Sequence, residues 1–333
     1  MDLRKLTQAM GVSGYERKIG QLIAEDIKPY VDEIKVDALG NVIALKKGTG
    51  ENKKVIMASA HMDEIGFSVT CITDKGFLKV RPLGGHSTFT AYMNRIRFKN
   101  GVVGLIGCSD KMDNVKAGDI DKLYVDIGCS SKEEAEKLVK VGDYACYEGE
   151  YEELPGNRVS SKALDDRIGC YVAMECLKRM DIPYNDVCFV FSVQEELGLR
   201  GARVASNWVK PEIGIALDVT PAFDTPDSVG KGNGALGKGA SIKVMDNSVV
   251  CDEYLVEEMV KCAEENNIKY HLDVLPAGGT DGGAMNQSND GVKVAGISIP
   301  ERYCHCPYGI VDMNDVEACI ALLEKYVNRE FNF

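Results

Sequence analysis

Three apolar runs, residues 55–60, 187–193 and 213–217, set the strongest limit on how this chain folds. Each is short, carries Val or Ile, and lacks the polar alternation of a strand with one face in water. They read as strands buried on both faces, which requires helices packed above and below a sheet with parallel strands. Charged residues follow at once: His61 and Asp63 after the first run, Glu195 and Glu196 after the second, Asp218 after the third. Two further segments behave alike, with Asp165 and Asp166 after SSKAL and His305 after VAGISIPERYC. In an open α/β sheet the carboxyl ends of the strands open on one crevice. Two imidazoles and several carboxylates are expected to meet there, as a two-metal hydrolytic centre requires.

The other segments place these strands in an architecture. Ile19, Leu22, Ile23 and Ile27 recur at helical spacing behind Ser13-Gly14-Tyr15-Glu16, which has the form of a capping box. A helix over residues 14–29 follows. Leu39-Gly40-Asn41 reads as a hairpin turn. From about residue 67 the pattern changes to short β-like segments near 67–73, 77–82, 95–98, 102–107, 123–126 and 143–147, with one helical stretch at 132–140. After about 162 helices and strands alternate again, ending in a helix from Asn314. The expected fold is an α/β domain of residues 1–66 and 162–333, a mixed sheet flanked by helices, interrupted by a small β-rich domain of residues 67–161. A length of 333 residues suits two such units.

Composition narrows the partners. A net charge of −12 argues against nucleic acid or an anionic membrane. No apolar run approaches membrane-spanning length, and MDLRKLTQAM lacks the layout of a secretory leader. The 12 cysteines lie scattered through apolar segments with no C-x-x-C pair, which fits reduced thiols in a cytoplasm.

Each candidate has a plainer reading beside the functional one. His61 and Asp63 suit a metal ligand and the carboxylate that orients it, or simply a polar turn. Asp165 and Asp166 suit a helix N-terminus, where acids offset the dipole. Adjacent positions on a helix differ by about 100°, so Asp165 bridging two cations while Asp166 binds Arg167 or backbone is the functional alternative. Glu195 and Glu196 close the most apolar run, where a carboxylate pair is costly unless cations meet it. One of them binding metal beside the other as general base answers that cost. Asp218 is a ligand or a turn acid. His305 is flanked by Cys304 and Cys306, thiols that suit soft metals or simple packing. The GGTDGG stretch at 278–283 lacks a Walker lysine and reads as a close-approach loop beside the site, with Asp281 behind the ligands. His86 and His271 have no partner pattern and read as structural.

HMDEIGF, ALDDRIG, VQEELGLRGA, ALDVT, GGTDGGA and RYCHCP resemble the signature stretches of the M42 metallo-aminopeptidases, which include deblocking, glutamyl and tetrahedral aminopeptidases. The likeness runs over nearly the whole chain, including YVDIGCSSKEEAEK in the insertion. It implies two divalent ions, zinc or cobalt: one held by His61, Asp165 and Asp218, the other by Asp165, Glu196 and His305. It further implies Glu195 as general base, Asp63 as the acid that orients His61, and a cis peptide between Asp165 and Asp166. The insertion would be a PDZ-like dimerisation unit, and dimers would build a homododecamer that admits short peptides. His305 departs from the pattern in being flanked by cysteines, where a serine often follows the histidine. The GGTDGG stretch is richer in glycine than the pattern.

The implied reaction is coherent. Two divalent cations outweigh the three ligand carboxylates by one charge, a field that acidifies a bound water. Glu195 would take its proton and return it to the leaving amine, while the metals stabilise the oxyanion. Two alternatives differ in class. A metal-independent, cellulase-like glycoside hydrolase needs two carboxyls flanking the scissile bond, and Glu195 and Glu196 are too close in sequence to straddle a sugar. A non-catalytic assembly protein would have lost a ligand or the base, yet all are present.

Overall fold

The computed structural model describes residues 1–226, 228 and 232–333. Among these residues an 11-stranded mixed sheet forms the frame. At its centre Asp186–Ser192, Val55–His61, Ile213–Pro221 and Lys293–Arg302 lie side by side and parallel. Glu33–Val36 and Val42–Lys46 add antiparallel strands at one edge, joined by the expected turn, where the Asp37 carboxylate accepts the amides of Leu39, Gly40 and Asn41. Gly309–Asp312, Arg158–Ser161 and Glu152–Leu154 extend the other side.

The buried-on-both-faces reading holds, and strand alternation explains it. Ile56, Ala58 and Ala60 face a core shared with the helices Leu164–Arg179, Met313–Tyr326 and Glu253–Glu265, as do Phe189, Phe191, Ile213 and Leu217. Their neighbours Met57, Val190 and Ala216 face a second layer with the helices Arg200–Val209 and Asp281–Asn286. Burial of Phe189 or Phe191, both fully enclosed, contributes about 3 kcal/mol each.

A closed barrel of six strands, from Gly66–Ile72 to Tyr144–Tyr147, lies apart from this sheet and has its own core around Phe67, Phe98, Ile106 and Val125. Its one longer helix is Lys132–Leu138. The strands Glu152–Leu154 and Arg158–Ser161, assigned from sequence to the inserted unit, instead hydrogen-bond into the large sheet. Their short, charged sequences carry little strand signal, and the pairing with Gly309–Asp312 decides their place.

The capping box is also corrected. The helix starts later, at Arg17, and the carboxylate of Glu16 makes no capping bond to it. Ser13 donates instead to Asp63 (2.6 Å), and Glu16 accepts from the amides of Gly14 and Gln194. A tertiary partner has taken the side chains that local pattern assigned to the helix end. All 12 cysteines are free thiols. No helix among the described residues is long and apolar enough to cross a membrane.

Candidate active site

The sheet makes the crevice. Ile213–Pro221 pairs with Val55–His61 only as far as Ala216 opposite Ser59; beyond that point it follows Lys293–Arg302 alone. Val55–His61 meanwhile stays paired with Asp186–Ser192 up to His61 opposite Ser192. The two central strands therefore part just before His61 and Asp218. Asp218 lies within its strand rather than at its end, a correction to its expected position.

Five elements deliver the site. His61 closes its strand, and Asp165 and Asp166 stand at the start of Leu164–Arg179 in non-helical conformation, joined by a cis peptide. Glu195 and Glu196 occupy the turn after Asp186–Ser192, and His305 follows Lys293–Arg302. Asp165 lies between the imidazoles: its Oδ1 is 3.1 Å from Nε2 of His61 and its Oδ2 is 3.2 Å from Nε2 of His305. The Glu196 carboxylate is also 3.2 Å from Nε2 of His305, while Glu195 and Asp218 each reach to 3.9 Å from Nε2 of His61. The seven residues that the resemblance implies as ligands, base and orienting acid thus lie together. Asp63 is among them, 3.5 Å from Nδ1 of His61 through its carboxylate.

Both histidines are oriented alike. Nδ1 of His61 donates to the main-chain carbonyl of Asp63 (3.1 Å), and Nδ1 of His305 to that of Gly85 (2.9 Å). A carbonyl only accepts, so each Nδ1 carries a proton and each Nε2 is turned towards the carboxylates, to which it donates when protonated and beside which a neutral ring would ligate an ion. Gly85 belongs to the loop after the barrel strand Leu78–Leu83, so the insertion reaches into the site. The Asp63 carboxylate serves chiefly elsewhere, accepting the amides of Glu195 (2.9 Å) and Glu196 (3.2 Å).

Sequence reasoning placed Asp166 on Arg167 or backbone and Asp281 behind the ligands, and left Glu64 and Glu301 unassigned. Asp166 lies close enough to His61 and Asp218 for one atom of each to meet a common ion, as do Asp165, Glu196 and His305. Its two oxygens already accept the amides of His61 (3.1 Å) and Gly169 (3.0 Å), however, so backbone holds it and Asp165 keeps the position between the imidazoles. Glu64 forms a buried ion pair with Lys162 (2.7 Å) behind the site. Glu301 is buried beside them with one oxygen unpartnered, a feature that no spacing in the sequence reveals. Asp281 lies beneath, accepting from Ser59 and Ser192 at 2.6 Å each. Gly279 and Gly283 are explained by closeness to the 246–250 loop, since a Cβ would stand 2.9 and 2.5 Å from Ser248 respectively.

Electrostatics test whether cations fit. Burial pushes the Asp218, Glu195 and Asp166 carboxyls well above their ordinary range, and neighbouring carboxylates add to it. Burial acts in the same sense on Asp165, but hydrogen bonds from His305 and His61 hold it well below the usual range. Burial works to lower both imidazoles, yet the facing carboxylates raise His61 well above its ordinary value and push His305 up to about 12. So dense a buried negative charge calls for positive charge, and the mixed nitrogen and oxygen donors fit divalent transition ions.

Residues 40–322 match the family model of M42 glutamyl aminopeptidases. The chain is 37% identical to a lysyl aminopeptidase of Pyrococcus furiosus, covering 99% of this chain and 98% of that one. Among solved structures it resembles the TET1 peptidase of Pyrococcus horikoshii, described as assembling into a tetrahedron or a large octahedral shell, with a TM-score of 0.87 at 34% identity over 98% of each chain. It also resembles a Thermotoga maritima protein described as an endoglucanase, with a TM-score of 0.82 at 33% identity over 98% of this chain and 97% of that one. With fold, site and sequence in agreement, the chain belongs to the M42 glutamyl aminopeptidase family and is an aminopeptidase, a hydrolase of peptide bonds.

Proposed function

We propose that this aminopeptidase releases N-terminal residues from short peptides with two divalent ions, held by His61, Asp165 and Asp218 and by Asp165, Glu196 and His305. The observation that carries this is Asp165, whose two oxygens face the Nε2 atoms of both imidazoles. Two imidazoles with oxygen donors suit zinc or cobalt rather than calcium. Such ions supply Lewis acidity and lower the pKa of bound water. Glu195 takes the proton of the attacking water and returns it to the leaving amine, a role suited to its buried place beside the ligands. Asp63 orients His61 and holds the amides of Glu195 and Glu196.

The likeness to an endoglucanase raises a second reading, metal-independent glycoside hydrolysis. It needs two carboxyls on either side of a glycosidic bond. Glu195 and Glu196 instead share one turn whose amides converge on a single carboxylate, a poor frame for straddling a sugar. The test is chelation with EDTA, followed by assay on aminoacyl-p-nitroanilides and aryl glycosides. Loss of peptidase activity, restored by Co²⁺ or Zn²⁺, is expected; glycosidase activity that survives chelation rejects the proposal. Glu195→Gln is expected to keep both ions and to lose roughly 10²- to 10⁴-fold in kcat.

The inserted unit of residues 67–161, most of which forms the barrel, serves in this reading as the PDZ-like dimerisation unit, with dimers building a homododecamer. Exposed Phe89, Met93, Val103 and Leu105 on its outside support it. Free thiols throughout the chain suit the cytoplasm.

A further inference from the structure

The turn that carries Glu195 is held by side chains from three distant segments. The Val193 amide donates to Oδ1 of Asn41 (2.9 Å), and the Gln194 amide to Oε1 of Glu16 (3.0 Å). The amides of Glu195 and Glu196 donate to Asp63. Four consecutive N–H groups are thus satisfied by side chains, where a strand or helix would use backbone. Gln194 needs this support, because its φ of 54° lies in the left-handed region that a residue with a Cβ rarely adopts. Glu16 is buried, is free of the helix end beside it, and braces itself on the Gly14 amide (2.8 Å).

We infer that Glu16 is a positioning residue for the reaction: by holding the Gln194 amide it fixes the left-handed step that aims the Glu195 carboxylate at the reacting water. The inference rests on Glu195 being the base. Glu16 hydrogen-bonds to the Gly14 and Gln194 amides and to none of the candidate ligands, so its effect passes through the turn. An oxygen acceptor is what the geometry requires; charge is not. Glu16→Gln keeps that acceptor, Glu16→Met keeps the length but removes it, and Glu16→Asp falls one methylene short.

The test compares these variants with the wild type and Glu195→Gln as metal-loaded full-length protein, in kcat, KM and bound metal. A second measurement, amide exchange of residues 193–196 in the metal-free protein, is independent of turnover. Glu16→Met is expected to lower kcat about 10- to 100-fold with KM within about 3-fold, because misaiming a catalytic group acts on the chemical step. Its 193–196 amides should exchange faster, and Glu16→Gln should restore most of both. Should Glu16→Met fail to fold, Glu16→Asp carries the test, with a reduced rate and faster exchange expected. Wild-type kcat or unchanged exchange in the acceptor-deficient variant overturns the inference, as does Glu16→Gln being as slow as Glu16→Met. If Glu195→Gln stays active, the base assignment falls and this inference with it. An inactive Glu195→Gln beside a fully active Glu16→Met removes the positioning role alone.

Discussion

His86 shows how one side chain ties the inserted barrel to the stability of the whole. Its ring lies 4.4 Å from that of Phe67, with Nδ1 3.0 Å from the Tyr147 hydroxyl and Nε2 3.2 Å from the Leu83 carbonyl. Burial pulls its pKa from 6.5 down to about 4. Between those values the unfolded chain binds more protons than the folded one, so stability falls as pH drops through that window. The loss is complete below pH 4 and amounts to at most about 3 kcal/mol. Urea titrations at pH 7 and pH 4.5 check this: His86→Gln should lose less stability between the two than the wild type. An equal loss in both removes His86 as the cause. The residue reads as structural from sequence, and its pairing with the barrel wall bears that out.

At the scale of elements, one buried arginine fastens the N-terminal segment to the site. Arg167, fully enclosed at the start of Leu164–Arg179, donates to the carbonyls of Met62 (2.6 Å), Leu6 (2.6 Å), Ala9 (2.9 Å) and Gly11 (3.3 Å). Leu6 and Ala9 lie at the end of the helix Leu3–Gln8, whose last carbonyls have no partner within the helix. Arg167→Met strands these acceptors and should cost about 3 to 5 kcal/mol in urea unfolding. Limited proteolysis should cut first within residues 1–15, and a wild-type digestion pattern would refute the fastening role. The same segment marks a boundary of legibility. Val55–His61 and Asp186–Ser192 were legible because runs buried on both faces leave few other options. Ser13 and Glu16 were not, because their partners Asp63 and Gln194 are remote in sequence and a capping box is a local pattern.

At the scale of the molecule, the barrel presents apolar surface with no partner in a single copy. Val103 and Leu105 point outward from the strand Val103–Cys108, and the amide of nearby Met93 donates to the Ile106 carbonyl. If copies pair there, replacing Leu105 and Met93 by Glu should reduce the mass seen by light scattering to that of smaller species, with circular dichroism unchanged. An unchanged mass places the interface elsewhere.

The candidate positions could be picked out from sequence because they follow apolar segments, where burying charge is too costly without a cation, whereas their division into ligands and base came from the family resemblance. Periodicity likewise determined the alternation of strand and helix and the change of character near residue 67. Only the tertiary structure decided that Asp165 faces both imidazoles, that Asp166 and Asp63 spend their oxygens on amides, and that residues 152–161 join the large sheet. The reason is physical. Hydrophobic pattern reports which way a residue faces within its own element, whereas hydrogen bonds between remote side chains and backbone exist only once the packed elements bring them within reach.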